Sequence, residues 1–143
     1  MTVFRLHGVF SGERLGQFGH MIECAQAGQP VKPIQGAGGE YAHLADVLRV
    51  FPLAMVNPKA YGEVFNVAGV YTYRDSDLAH FIVEQVDTGI RLEPIEDRAQ
   101  QMVSVSVDKL SQLLGYKPER GEFLTQLIAS ALGQHRANRK ESQ

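Results

Sequence analysis

Cys24 is the only cysteine in the 143 residues, so no disulfide within the chain can staple the fold, and a reducing compartment suits it. Long apolar runs are missing too. None approaches the roughly 18 residues that a membrane-spanning helix needs. The opening Met1-Thr2-Val3-Phe4-Arg5 has no charged stretch leading into an apolar core, so no signal peptide is expected. Charge of one sign is scarce: the formal net charge is −2 and Lys and Arg are not clustered, which removes the electrostatic footprint of a nucleic-acid binder. What is present is the composition of a folded domain. With 44% apolar and 21% charged residues the chain sits among soluble globular proteins rather than disordered ones, and its length can bury a core. The expectation is a single cytoplasmic α/β domain over residues 1–134, followed by a polar flexible tail over 135–143.

Hydrophobic spacing and breakers divide the chain. Thr2–Leu6 is β-prone and is broken at Gly8, Ser11 and Gly12. Leu15, Phe18, Ile22 and Ala25 recur every three or four residues, predicting a helix over Glu13–Ala27 that stops at Gly28. Val31–Ile34 reads as a short strand, Gly36-Ala37-Gly38-Gly39 as a loop, and Tyr41–Leu44 as a second extended run. Asp46 is placed to cap a helix reaching about Val56, with Pro52 a kink or early stop and Asn57-Pro58 its end. Glu63–Val67 predicts a strand. Asp75 or Ser76 caps a helix with Leu78, Ala79, Ile82, Val83 and Val86 on one face, ended by Gly89. Strands follow over Ile90–Ile95, weakened by Pro94, and over Met102–Val107. Helices over Asp108–Leu114 and Glu119–Leu132 complete a small mixed α/β unit of short strands and about five helices.

The residues alone assemble no catalytic set. Gly36–Gly39 lacks a buried strand before it and a helix N-terminus after it, the geometry that aims backbone N–H groups at phosphate, and reads as a turn. His20 and Cys24 stand four apart on one helix with Glu23 between them. A metal wants three or four ligands, and nothing in the spacing recruits His7 or His43. Cys24 reads as a small packed residue, and His80 as a packed or surface histidine beside an apolar stripe. Asp75 and Asp77 are explained by the positive end of a helix dipole. Lys117-Pro118-Glu119-Arg120-Gly121 reads as a loop, and Ser104 and Ser106 as the exposed face of a strand. No serine lies in a G-x-S-x-G elbow.

Four segments, in order, resemble the extended short-chain dehydrogenases, the NAD-dependent epimerase/dehydratase family. Arg5-Leu6-His7-Gly8-Val9-Phe10-Ser11-Gly12 is similar to the family's R-L-x-N-V-Y-G-P strand and loop. Glu40-Tyr41-Ala42-His43-Leu44-Ala45-Asp46-Val47 resembles D-Y-I-H-V-x-D-V. Tyr61-Gly62-Glu63-Val64-Phe65-Asn66-Val67-Ala68-Gly69 resembles G-x-x-Y-N-V-G. Ser106–Leu110 with Leu114–Pro118 resembles the late D-x-S-K-x-x-x-x-L-G-W-x-P. The likeness runs from about Val3 to Leu132.

The resemblance implies the C-terminal, substrate-binding portion of such a fold without the dinucleotide-binding sheet, since no G-x-x-G-x-x-G and no Tyr-x-x-x-Lys occurs in the sequence. It implies a nucleotide-diphosphate sugar as ligand and no catalysis by this chain alone. It implies no cofactor here either, NAD(P) being expected only with a complementary Rossmann half. Carried over by position, the substrate-binding residues are Gly8, Phe10, Gly39, Tyr41 and Arg98, with no catalytic, cofactor or metal residue. His43 and Asp46 match structural positions. The departures are specific: Gly8 stands for Asn, Gly39 for an Arg that contacts diphosphate, Phe10 for Tyr, and Ser11-Gly12 for Gly-Pro. A glycine cannot replace the charged fork of an arginine, so a non-enzymatic interaction domain that keeps the fold is the alternative. The strand over Val3–Leu6 would belong to the Rossmann sheet in the family. An open edge there predicts self-association or a complementary Rossmann-domain chain as partner.

Overall fold

The β-branched and aromatic run Val-Phe-Arg-Leu forms β1 (Val3–Leu6), and the Gly8 turn leads into β2 (Val9–Phe10). In the computed structural model, residues 1–87, 89–97, 99 and 101–141 are described, with side chains up to 134. The remaining elements are α1 (Gln17–Gln26), β3 (Gly38–Glu40), β4 (Ala42–His43), α2 (Leu44–Met55), a 3-10 turn (Pro58–Ala60), β5 (Val64–Val67), β6 (Thr72–Arg74), α3 (Asp75–Val86), β7 (Met102–Val103), α4 (Asp108–Leu114) and α5 (Leu124–Glu141). Among the described residues, five helices and short strands make the small mixed α/β fold that the sequence predicts. The strands pair β1 with β5 and β2 with β4, both parallel, and a three-stranded set runs β6-β3-β7.

The chain forms two compact units. One comprises Met1–Ser11, Gly39–Thr72 and Val103–Gly121; the other comprises Gly12–Gly38, Tyr73–Met102 and Glu122–Gln143. In the first, α2 and α4 bury Val47, Val50, Ala54, Leu110 and Leu114 against Phe65 and Val67 of β5. In the second, α1, α3 and α5 pack on one another and bury Phe18, Ile22, Ala79, Ile82, Leu124 and Ile128. No helix among the described residues is long and apolar enough to cross a membrane.

Several boundaries differ from expectation for local reasons. Helix α1 starts at Gln17 rather than Glu13, because Gly16 takes a left-handed φ of 51° just before it. The cap of α2 is His43 and not Asp46: the imidazole Nδ1 accepts the Ala45 N–H at 3.1 Å. Pro52 lies inside α2 without ending it. The cap of α3 is Arg74 and not Asp75 or Ser76, both of which lie inside the helix. The strands expected over Val31–Ile34 and Ile90–Ile95 shrink to isolated parallel bridges, Val31 to Leu92 and Ile34 to Ile95, since Pro30, Pro33 and Pro94 have no N–H for a ladder. The strand expected over Met102–Val107 stops at Val103. Beyond it the Glu40 carboxylate takes the Ser104 hydroxyl and the Val105 N–H, at 3.1 and 3.3 Å. Helix α5 begins at Leu124, after Pro118 and Gly121, where the Tyr73 hydroxyl accepts the N–H groups of Phe123 and Leu124 at 2.6 and 3.1 Å.

Candidate functional site

Four of the five residues singled out in the sequence lie together in the first unit. β1 ends at Leu6, and the Gly8 turn, at φ 47°, carries the chain into β2 beside β4. This brings His7, Gly8 and Phe10 to Tyr41, which lies between β3 and β4. The rings of His7 and Tyr41 stack at 5.8 Å, and Phe10 meets Tyr41 edge-on at 5.1 Å. Both glycines are packing positions. A Cβ at Gly8 would strike the Tyr41 ring, 2.9 Å from Cε1. A Cβ at Gly39 would lie 2.5 Å from His7 Nε2 and 2.6 Å from the Val103 carbonyl oxygen. The volume an Asn or Arg side chain would need is taken by Tyr41 and His7. His7 Nε2 is itself buried without a hydrogen-bond partner among the described residues. Glu40 fixes the neighbouring backbone by also accepting the Thr72 hydroxyl at 3.2 Å. Arg98 lies outside the described residues.

The strand-to-helix junction beside this cluster is electrostatic scaffolding. Asp46 is 2% exposed, and its carboxylate accepts Arg49 Nη1 at 3.3 Å, the Arg120 backbone N–H at 3.1 Å and Arg120 Nη1 at 3.5 Å. A buried carboxylate is tolerated only when so supplied with donors. Asp46 thereby ties the loop at Arg120 to helix α2, a role invisible in sequence because the partners are 74 residues apart. Burial, and then the Arg120 charge, hold the His43 imidazole below its ordinary pKa of 6.5, against an opposing pull from Asp46. Neutral imidazole is the form that can accept the Ala45 N–H. Tyr116 is almost fully buried with its hydroxyl unpartnered among the described residues. Burial, and then the Asp46 charge, push its pKa up to about 12, with Arg49 acting in the opposite direction.

The second unit holds a cavity of about 600 Å³ that the sequence reading missed. One face of α1 supplies Gln17, His20, Met21 and Cys24; the following segment supplies Gln29, Pro30, Lys32 and Ile34, and Ile95 closes it. The legible signal was a second stripe on α1, at spacings of three and four beside the buried one. Walls of Met21, Pro30, Ile34 and Ile95 are apolar, and the Gln17 and Gln29 amides and the Lys32 ammonium bring polar groups to the rim. Gln17 Nε2 also donates to the buried Asp75 carboxylate at 2.5 Å, which steadies the amide. Lys32 lies 3.9 Å from Glu93. Cys24 Sγ sits 3.6 Å from His20 Nε2, and His20 lies 3.8 Å from Glu23. No group of three or more His, Cys, Asp or Glu that could hold a metal occurs among the described residues.

No protein-family model matches the sequence, and no curated protein sequence matches it. Solved structures do match. An epimerase from Methanothermobacter thermautotrophicus is 20% identical with a TM-score of 0.72, over 99% of this chain and 45% of its own. UDP-glucuronic acid 4-epimerase from Bacillus cereus, in complex with UDP-glucuronic acid and NAD, is 17% identical with a TM-score of 0.75, over 94% of this chain and 45% of its own. The dTDP-glucose 4,6-dehydratase of Bacillus anthracis, in complex with NAD, is 14% identical with a TM-score of 0.72, over 96% of this chain and 45% of its own. The chain thus spans less than half the length of the structures it matches. Its fold is that of a C-terminal portion of the NAD-dependent epimerases and dehydratases, as the four sequence segments imply.

Proposed function

We propose that this chain is the substrate-binding portion of an epimerase/dehydratase-type protein, that it takes a nucleotide-diphosphate sugar, and that it does not catalyse on its own. The observation that carries this reading is the fold match over nearly the whole chain to enzymes holding UDP-glucuronic acid or acting on dTDP-glucose. The cavity adds to it. Its volume falls in the range of small-molecule sites, and apolar walls with a few convergent polar groups are their usual lining. A base would lie against Met21, Ile34 and Ile95, with the Gln17 and Gln29 amides reading its edge and Lys32 facing phosphate.

The chain's own residues bind and orient; they do not move protons. Neither G-x-x-G-x-x-G nor Tyr-x-x-x-Lys is present. The glycine run at Gly36–Gly39 leads into β3 rather than a helix N-terminus, so it does not fit a dinucleotide phosphate. NAD(P) would enter with a Rossmann half, which would supply the hydride chemistry. A second reading, an interaction domain that retains the fold without the site, is favoured by the filling of the Gly8 and Gly39 positions by Tyr41 and His7.

Chemical-shift titration with UDP, UDP-glucose, UDP-glucuronic acid and NAD tests both. The proposal expects shifts at Gln17, Cys24 and Ile34 with the uridine ligands, and none with NAD. Silence toward every sugar nucleotide would leave the interaction domain standing. Micromolar binding of NAD would overturn the assignment of the cofactor site elsewhere.

A further inference from the structure

The Gln17 carboxamide at the rim of the cavity belongs to an exposed residue, yet it is held in one orientation. Gln17 is the first residue of α1 and Asp75 the first of α3, and these two helices pack on one another. Gln17 Nε2 donates to Asp75 Oδ2 at 2.5 Å. Asp75 is 1% exposed. Its backbone N–H donates to the Ala37 carbonyl at 3.1 Å, so the carboxylate is placed by the packing of α3 and not by the glutamine. A carboxylate in the first turn of a helix is also favoured in its ionised form by the helix dipole.

That bond decides which way round the amide stands. The two ends of a glutamine amide are alike in shape and opposite in character: the nitrogen donates and the oxygen accepts. On an open surface the last torsion of the side chain is broad and roughly two-fold, so either end can face a given point. An ionised carboxylate only accepts. Reversing the Gln17 amide would set oxygen against oxygen and forfeit a charge-assisted bond, which is the stronger kind. Gln17 is therefore committed with its nitrogen toward Asp75. What it keeps for a ligand is Oε1 as an acceptor, with its second N–H beside it. Lys32, on the same lining, has donors and no acceptor, and the Gln29 amide can donate as well.

The geometry points to the base of the ligand being an imide, uracil or thymine, whose ring N–H is accepted by Gln17 Oε1, with Asp75 the positioning residue that enforces the choice. The inference rests on the cavity being the nucleotide site proposed above. An imide edge reads acceptor, donor, acceptor, because two carbonyls flank one N–H. Gln17 meets the central N–H and one carbonyl with the two atoms of its amide, the way glutamine pairs with a base edge. Gln29 or Lys32 can supply the donor for the other carbonyl. Cytosine in the same pose turns a bare ring nitrogen toward Oε1, acceptor against acceptor. It would need the amide reversed, which Asp75 opposes. Sites built around a hydrogen bond reject a ligand that cannot make it far better than pockets sense one methyl group. The choice between uracil and thymine is therefore left open by Gln17, and cytosine is refused.

Parallel calorimetric titration of the full chain with UDP and with CDP is the test. The wild-type chain should bind UDP at least about tenfold more tightly than CDP. Asp75→Asn allows the Gln17 amide to turn over, because an asparagine offers an N–H as well as a carbonyl. UDP affinity should fall, CDP affinity should rise, and the two should come within about threefold of each other. The gain for CDP is the readout that a purely structural role for Asp75 would not produce, since a damaged fold weakens both ligands. Gln17→Met, at an exposed position, removes the reading group and should also bring the two ligands within about threefold. This variant carries the test should Asp75→Asn fail to fold. Equal binding of UDP and CDP by the wild-type chain, with the Cys24 and Ile34 signals shifting, overturns the role of Gln17 and leaves the nucleotide site standing. A preference for UDP that survives in Gln17→Met also overturns it. Binding of neither nucleotide overturns the site and this inference together.

Discussion

Gly39 shows how a single residue can carry two readings that only its neighbours separate. The sequence resemblance implies that it stands in place of a diphosphate-binding arginine; in the structure its missing side chain makes room for His7 Nε2 and the Val103 carbonyl. Gly39→Ala should therefore destabilise by about 2 kcal/mol, the usual size of overpacking, seen as a lower urea midpoint. Recovery of that midpoint in Gly39→Ala/His7→Ala would identify His7 as the obstruction. His43 offers a test through pH. Its folded pKa is lowered from 6.5, so just below that value the unfolded chain binds more protons than the folded one. The contribution is complete above pH 6.5 and is lost as pH falls through the window between 6.5 and the lower folded value. His43→Asn keeps a side-chain acceptor for the α2 cap and removes the titration. Urea midpoints between pH 7.5 and 5 should fall less steeply in that variant; equal slopes would remove the histidine from the account.

Among the elements, helix ends were decided by side chains brought from elsewhere. The apolar period located α1, α2, α3 and α4 to within a few residues, because a core-facing stripe is written in local spacing. The start of α5 was not so written. Its first N–H groups are satisfied by the Tyr73 hydroxyl, 50 residues earlier in the chain. Tyr73→Phe leaves those N–H groups without their acceptor and should cost about 1–2 kcal/mol. Hydrogen exchange at Phe123 and Leu124 should accelerate ahead of exchange in the middle of α5. Uniform acceleration along the helix would argue against a capping role. The expected strands over Val31–Ile34 and Ile90–Ile95 failed for the converse reason: their side chains suit a strand, but their prolines cannot donate to one.

For the whole molecule, ligand binding and stability are linked. A ligand that binds only the folded chain, present at about 100 times its dissociation constant, adds roughly 2.7 kcal/mol. UDP-glucose or UDP-glucuronic acid should accordingly raise the melting temperature, and NAD should leave it unchanged. Lys32→Ala and Ile34→Asp should abolish the rise while preserving the unliganded melting temperature within a few degrees, since both side chains line the open cavity. An undiminished rise in both variants would move the ligand away from it.

The sequence alone determined the resemblance that points to the fold, the helical stripes and the lack of a dinucleotide motif, because each is carried by local spacing or by a short run of residues. Of the five residues it brought forward, Gly8, Phe10, Gly39 and Tyr41 are gathered by the fold, and Arg98 lies outside the described residues. What tertiary structure decided was whether space remained among them. Stacked His7 and Tyr41 occupy the positions of the absent side chains in the first unit, while the open volume lies within the second unit, along one face of α1. Volume, unlike periodicity, is a property of residues distant in the chain that meet only after folding.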